Sequence, residues 1–186
     1  MIYIDDQLHR LTSAQVDEAI RRLPPQRRET TLRHRTDLGR RQSLLAYLLL
    51  CQALRLEHGI MEPPHFSFAE HGKPSLTHHP HLHFSLSHCP QGVACVLDTR
   101  PVGIDLEAPR PLRPGVLAYA MSPREQAEIE ASPTPELLFT RLWTRKEALL
   151  KLSGQGIHRG MRDLLHHTPH RLQTTRHGSL FCSVAW

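Results

Sequence analysis

The sequence predicts an α+β fold. Three observations carry the prediction. Strand-like and helix-like stretches are grouped within each half of the 186-residue chain, not alternated as β-α-β units. Residues 81–87 alternate, with Leu82, Phe84 and Leu86 on one face and His81, His83, Ser85 and Ser87 on the other. Two long helical stretches, 40–57 and 136–153, each run into a glycine, Gly59 and Gly154.

Taken in order, residues 2–4 read as a first strand. Residues 13–22 read as a helix, with Ser13 as cap and Pro24-Pro25 as its stop. An arginine-rich stretch follows, from Arg27 to Arg41. The helix over 40–57 is expected to bury Leu44, Leu45, Leu48, Leu49 and Leu56. Phe66 and Phe68 alternate as a strand does, and Gly72-Lys73-Pro74 forms a turn from which Lys73 projects. The strand 81–87, a second at Val93–Leu97 and a third at Val102–Glu107 are expected to form one antiparallel meander over 81–107. Residues 114–121 and 123–131 read as helices, with Ser122 capping the second. The tail alternates at Leu164-Leu165, Leu172 and Leu180–Val184, which suggests two or three short strands.

Apolar residues make up 39% of the chain and aromatics 5%, a lean but globular composition. The net charge of +5 favours an acidic or phosphorylated partner. Cys51, Cys89, Cys95 and Cys182 form no Cys-x-x-Cys pair and read as reduced and mostly buried. The longest apolar run, Leu44 to Leu50, falls well short of the ~20 residues of a membrane span. The first residues show no basic signal region, so a cytoplasmic protein is expected.

The chemistry-bearing residues fall in two places. On the third strand, Gly103, Asp105 and Glu107 share a face while Ile104 and Leu106 share the other. Two carboxylates on one side suit one hard cation such as magnesium; the alternative is a half-exposed strand with two solvated acids. On the late helix, Trp143, Glu147 and Lys151 follow one another at four-residue spacing. Alone, Glu147 and Lys151 read as an ordinary surface pair worth about 0.2–0.5 kcal/mol. If that helix packs on the strand, Glu147 becomes a third carboxylate and Lys151 reaches a phosphate on the same cation. Lys73 and the arginine stretch would hold further phosphates, and Ser87-His88 would add donors. Such a set fits phosphoryl transfer from a polyphosphate.

Four segments in this order, Gly72-Lys73-Pro74, Phe84-Ser85-Leu86-Ser87-His88, Val102-Gly103-Ile104-Asp105-Leu106-Glu107 and Trp143-Thr144-Arg145-Lys146-Glu147-Ala148-Leu149-Leu150-Lys151, resemble the 4′-phosphopantetheinyl transferase superfamily. Length and order resemble its Sfp-type branch. The resemblance implies two similar fused halves, a pseudo-dimer, each a small antiparallel sheet packed with helices. The boundaries are 1–100, a nucleotide-binding half, and 101–186, a catalytic half, with the active site between them. It implies transfer of the phosphopantetheine arm of coenzyme A to a serine of an apo acyl or peptidyl carrier protein, releasing 3′,5′-ADP. It further implies Asp105, Glu107 and Glu147 as Mg2+ ligands, Glu147 as general base and Lys151 on the pyrophosphate. Lys73, Ser87 and His88 would hold the nucleotide phosphates. Arg27 would stand near the 3′-phosphate, and Arg41 or Gln42 with Ser43 would contact the nucleotide. An acidic carrier docking near Leu117 and Tyr119, and action as a monomer without nucleic acid or membrane, complete the expectation. The sequence departs from the family pattern at Thr30, where a second basic residue is usual, and at Met121, where an aromatic is usual. Glu125 is at most a supporting residue.

Other readings have weaker support. His81 and His83 share a strand face, but no third ligand is placed by spacing. Ser87, His88 and Asp105 lack the nucleophile elbow of a hydrolase. A basic, non-enzymatic nucleic-acid-binding domain would use the Arg27–Arg41 face, but it has few aromatics and no recognised binding motif to support it.

Overall fold

A computed structural model describes residues 1–156 and 159–186. Its elements run β1 (Ile2–Asp5), α1 (Ser13–Arg21), α2 (Pro25–Leu32), α3 (Asp37–His58), β2 (Phe66–Phe68), β3 (Pro74–Leu76), β4 (His83–Cys89) and β5 (Gly92–Asp98). They continue with β6 (Gly103–Glu107), α4 (Pro114–Ala120), α5 (Pro123–Glu130), α6 (Pro135–Ser153), β7 (Leu172–His177) and β8 (Leu180–Ala185). The fold is α+β, with small antiparallel sheets in the orders β1-β5-β4, β2-β3 and β6-β8-β7. No helix among the described residues is long and apolar enough to cross a membrane.

The helix caps are largely those the sequence announces. Thr12, not Ser13, caps α1, because Gln15 reaches back to the Thr12 amide and completes a capping box. Ser122 caps α5 through the same reciprocal bonds with Glu125. Gly59 and Gly154 end α3 and α6 at φ of 68° and 74°, a conformation that costs glycine little. Along α3 the buried stripe is Leu44, Tyr47, Leu50 and Leu54. Leu48 and Leu56, expected inside, are 41% and 64% exposed, because Leu48 lies just past the edge of that stripe and Leu56 across the helix from it.

The expected 81–107 meander holds only for its first two strands. β4 and β5 pair, Ser87 opposite Ala94, but β6 pairs with β8, Asp105 opposite Ser183. Two serine hydroxyls bridge β4 and β6 where a ladder would otherwise run. Ser85 Oγ accepts from the Ile104 amide and Ser87 Oγ from the Leu106 amide, each at 3.1 Å. Serines two apart on β4 thus meet amides two apart on β6 and satisfy buried donors. In the tail, Leu172 and Leu180 lie in strands; Leu164 and Leu165 do not.

Two apolar layers fix the frame. Leu50, Ala53 and Leu54 of α3 pack on Phe84, Cys95 and Leu97. Ala94 and Val96 of β5 pack with Ile104 and Leu106 of β6 and with Cys182 and Val184 of β8. The opposite face of β6, carrying Gly103 and Asp105, turns to α6. A Cβ on Gly103 would stand 2.0 Å from the Ala148 carbonyl oxygen and 2.4 Å from the Leu152 nitrogen. The space beside Gly103 is filled by the α6 backbone. Gly103→Ala is expected to destabilise the protein by about 3 kcal/mol, since backbone cannot yield as a side chain does. Urea unfolding checks this; a change under about 0.5 kcal/mol would mean α6 is not held where the structure has it.

Candidate active site

The close approach at Gly103 lets α6 lay Glu147 and Lys151 beside Asp105. Lys151 is not paired with Glu147 as helix spacing suggests. Its Nζ donates to Asp105 Oδ1 at 2.7 Å and to Ser87 Oγ at 2.9 Å. Ser87 Oγ donates to the same carboxylate oxygen at 2.9 Å. One residue from each of β4, β6 and α6 therefore meets at Asp105 Oδ1. The Asp105 side chain is 6% exposed and that of Lys151 30%. The ion pair is thus partly screened from water, and each partner has several hydrogen bonds to offset desolvation.

Glu107 and Glu147 flank this junction. Burial, then repulsion from Asp105, pushes each carboxyl up to about 7. The Lys151 ammonium opposes the shift in both, and Glu107 adds to that of Glu147. Among the described residues, Asp105 Oδ2 and Glu147 Oε1 are buried and have no hydrogen-bond partner. Among the described residues no group of three His, Cys, Asp or Glu side chains is arranged to hold a metal ion as it stands. The His81 and His83 pair likewise acquires no third ligand.

His88 follows on β4 and turns toward solvent. The protein around its ring, then the Lys151 and His34 charges, hold the imidazole below its ordinary value. A cleft of about 330 Å3 opens beside the junction, lined by Lys73, Phe84, Ser85, Glu147, Leu150 and Lys151 among others.

Lys73 does not project freely from its turn. Its Nζ donates to the Leu152 carbonyl at 2.7 Å, and its methylenes pack near Gly154. A cation thereby sits on the last carbonyls of α6, where the helix dipole favours it. Burial lowers the Lys73 ammonium from its ordinary value.

The arginine stretch is divided between α2 and α3, and much of it is engaged internally. Arg27 donates to Ser43 Oγ at 2.7 Å and to the Ser43 carbonyl at 2.5 Å, and it lies over the Tyr47 ring at 5.0 Å. Arg41 donates to the carbonyls of Leu8 and Leu11. Gln42 donates to the Cys89 carbonyl, which ties α3 to the end of β4. Arg27 and Ser43 therefore join α2 to α3, Arg41 ties α3 to the segment before α1, and the structure does not bring them into the Asp105 junction.

The sequence reading missed two features. The Ser85 and Ser87 bridges to β6 were signalled only by their alternation. Lys146, wholly buried on α6, donates to Glu125 Oε2 at 2.5 Å and to the carbonyls of Ala120 and Arg162. A lysine flanked by charged residues reads as exposed, and the packing of the end of α4, of α5 and of the segment after α6 around it turns it inward.

Comparison with known proteins bears on this geometry. The family model described as the 4′-phosphopantetheinyl transferase superfamily matches residues 101–183, which include Asp105, Glu107, Glu147 and Lys151. A 4′-phosphopantetheinyl transferase of Bacillus pumilus is 31% identical over 162 residues, covering 83% of this chain and 70% of the relative. The chain belongs to the 4′-phosphopantetheinyl transferase superfamily. A Bacillus subtilis 4′-phosphopantetheinyl transferase is 28% identical over 162 residues, covering 84% of this chain and 70% of the relative. The AcpT enzyme of Escherichia coli K12 is 39% identical over 104 residues, 53% of each chain. The protein is thus a phosphopantetheinyl transferase with Sfp-like relatives, and its matched segment carries the α6–β6 junction.

Proposed function

We propose that this transferase is a Mg2+-dependent holo-carrier-protein synthase. It moves the 4′-phosphopantetheine arm from coenzyme A to a serine of an apo acyl or peptidyl carrier protein and releases 3′,5′-ADP. The observation that carries the reading is the Asp105–Ser87–Lys151 junction, with Glu147 on the same helix and a cleft alongside. The halves 1–100 and 101–186 are taken as a pseudo-dimer enclosing this site in one chain. In support, Ser87 and Lys73 come from the first and Asp105, Glu147 and Lys151 from the second. Each half also sets a long glycine-capped helix on a three-stranded antiparallel sheet.

The donor chemistry fits a hard divalent cation. Asp105, Glu107 and Glu147 offer only oxygens, and Asp105 and Glu147 each keep one buried oxygen without a hydrogen-bond partner among the described residues. These three would hold Mg2+, which when bound neutralises charge on a pyrophosphate. Glu147 accepts the proton of the incoming serine hydroxyl. The serine oxygen bonds to the phosphorus bearing the pantetheine arm, and the bond from that phosphorus to the bridging pyrophosphate oxygen breaks. Lys151 offsets the charge that develops on the departing oxygen. Ser87 keeps Asp105 in register, and His88 faces the solvent side where nucleotide phosphates would lie.

Incubation with coenzyme A, Mg2+ and a panel of apo carrier proteins, followed by intact mass, tests the activity. One added phosphopantetheine arm is expected; no addition on any carrier would refute the reading. A second prediction concerns the cation alone. Mg2+ should raise the Tm more at pH 8 than at pH 5, because protons on Glu107 and Glu147 compete with it below about 7. Equal shifts at the two pH values would remove these residues as ligands.

A further inference from the structure

A second cationic site lies on the other side of α6. A cleft of about 430 Å3 runs between α5 and α6. Arg141 and Arg145 stand in its wall one helical turn apart. No ion pair or hydrogen bond engages either guanidinium among the described residues. The nearby acids are already occupied: Arg124 holds Glu128 at 3.0 Å, and Glu125 is taken by buried Lys146. The charge of Arg141 and Arg145 is therefore not neutralised within the protein. Burial and the neighbouring Arg141 both hold the Arg145 guanidinium below its ordinary value. Side chains of Leu138, Leu142 and Leu165 add apolar lining.

Two adjacent arginine forks match the oxygens of a phosphate, and an apolar lining suits the organic group attached to it. The concavity is within the size range of small-ligand sites. It is also lined by residues on the side of α6 away from Glu147 and Lys151, so the cleft beside Asp105 does not account for it. We propose that the α5–α6 cleft is a second anion site that takes an organic phosphate or pyrophosphate between Arg141 and Arg145. The proposal does not depend on the transferase reading. It gives the protein a phosphate contact beside the Glu125–Lys146 pair, which links α5 to the catalytic helix.

The test follows the side-chain Nε–Hε resonances of Arg141 and Arg145 during titration with inorganic pyrophosphate in metal-free buffer. The single variants Arg141→Gln and Arg145→Gln assign the signals. Saturable shifts of both are expected in the wild-type protein. In either variant, affinity read from the remaining arginine should fall at least about tenfold. Arg141→Lys with Arg145→Lys keeps the charge but loses the forks, and it should weaken binding while leaving the Tm unchanged. The same titration on Lys151→Ala should give unchanged shifts, which separates this site from the catalytic face. No saturable shift at millimolar pyrophosphate would overturn the proposal. Shifts caused by poly-glutamate but not by pyrophosphate would also overturn it, in favour of an acidic protein partner.

Discussion

Glu147→Gln is expected to lower phosphopantetheine transfer by about 10²–10⁴-fold, the range for loss of a positioned general base. It should also make the metal-free protein more stable above neutral pH. The Glu147 carboxyl titrates at about 7 in the folded protein, against an ordinary value of 4.5. Between those values the folded state holds the proton more tightly than the unfolded state, so stability falls as pH rises. Above about 7 both states are ionised and the full penalty remains. Glutamine has the same shape and no charge, so it removes the penalty. At pH 8 the gain is at most about 2–3 kcal/mol, or a Tm rise of about 5 °C in a chain of this size. At pH 4, where the carboxyl is protonated in both states, the variant and parent should melt alike. Turnover with a saturating carrier, and melting at both pH values, provide the check. Near-normal turnover would dismiss Glu147 as the base, and no stabilisation at pH 8 would mean that neither burial nor repulsion from Asp105 and Glu107 penalises its charge.

Lys146→Met should be the most destabilising single change on α6. The Lys146 ammonium is fully buried and is held by Glu125 and two carbonyls. Its removal leaves the Glu125 carboxylate, 6% exposed, with no cation beside it. Breaking one side of a buried pair costs about 3–5 kcal/mol, chiefly through the charge left behind. That corresponds to a Tm loss on the order of 10 °C. Glu125 also completes the cap of α5, so this end of the helix should loosen with it. The double change Lys146→Met with Glu125→Gln removes the stranded charge, keeps a capping acceptor, and should recover more than half of the loss. If the single variant melts within about 2 °C of the parent, Lys146 is not the bond that joins α5 to α6.

Much of the fold is legible because its signals are local. The alternation at 82–86 and the glycine stops at Gly59 and Gly154 need only neighbours in sequence, and the structure has the corresponding strand and helices. Strand pairing was not legible. Residues 93–107 look like consecutive hairpin strands, yet β6 joins β8 some eighty residues later. The serine hydroxyls of β4 satisfy the β6 amides in place of the expected ladder. Burial on α3 followed the same pattern. Apolar type selected Leu48 and Leu56 as core, but the position of β5 and α1 decides which side of the helix is covered.

For the site, the sequence by itself determined which side chains share a face: Asp105 with Glu107 on a strand, and Glu147 with Lys151 on a helix. Covalent geometry fixes that much, with periods of two and 3.6. Tertiary structure decided what those faces meet. Lys151 pairs with Asp105 instead of Glu147 because Gly103 lets the α6 backbone approach β6 within a distance no side chain would permit. Lys73, Arg27 and Arg41 looked like free cations and instead hold carbonyls: Lys73 that of Leu152 near the end of α6 and Arg41 those of Leu8 and Leu11, where the helix ladder leaves acceptors open, and Arg27 that of Ser43 within α3. Lys146 is buried for a reason invisible to local pattern: its partners arrive with the end of α4, with α5 and with the segment after α6.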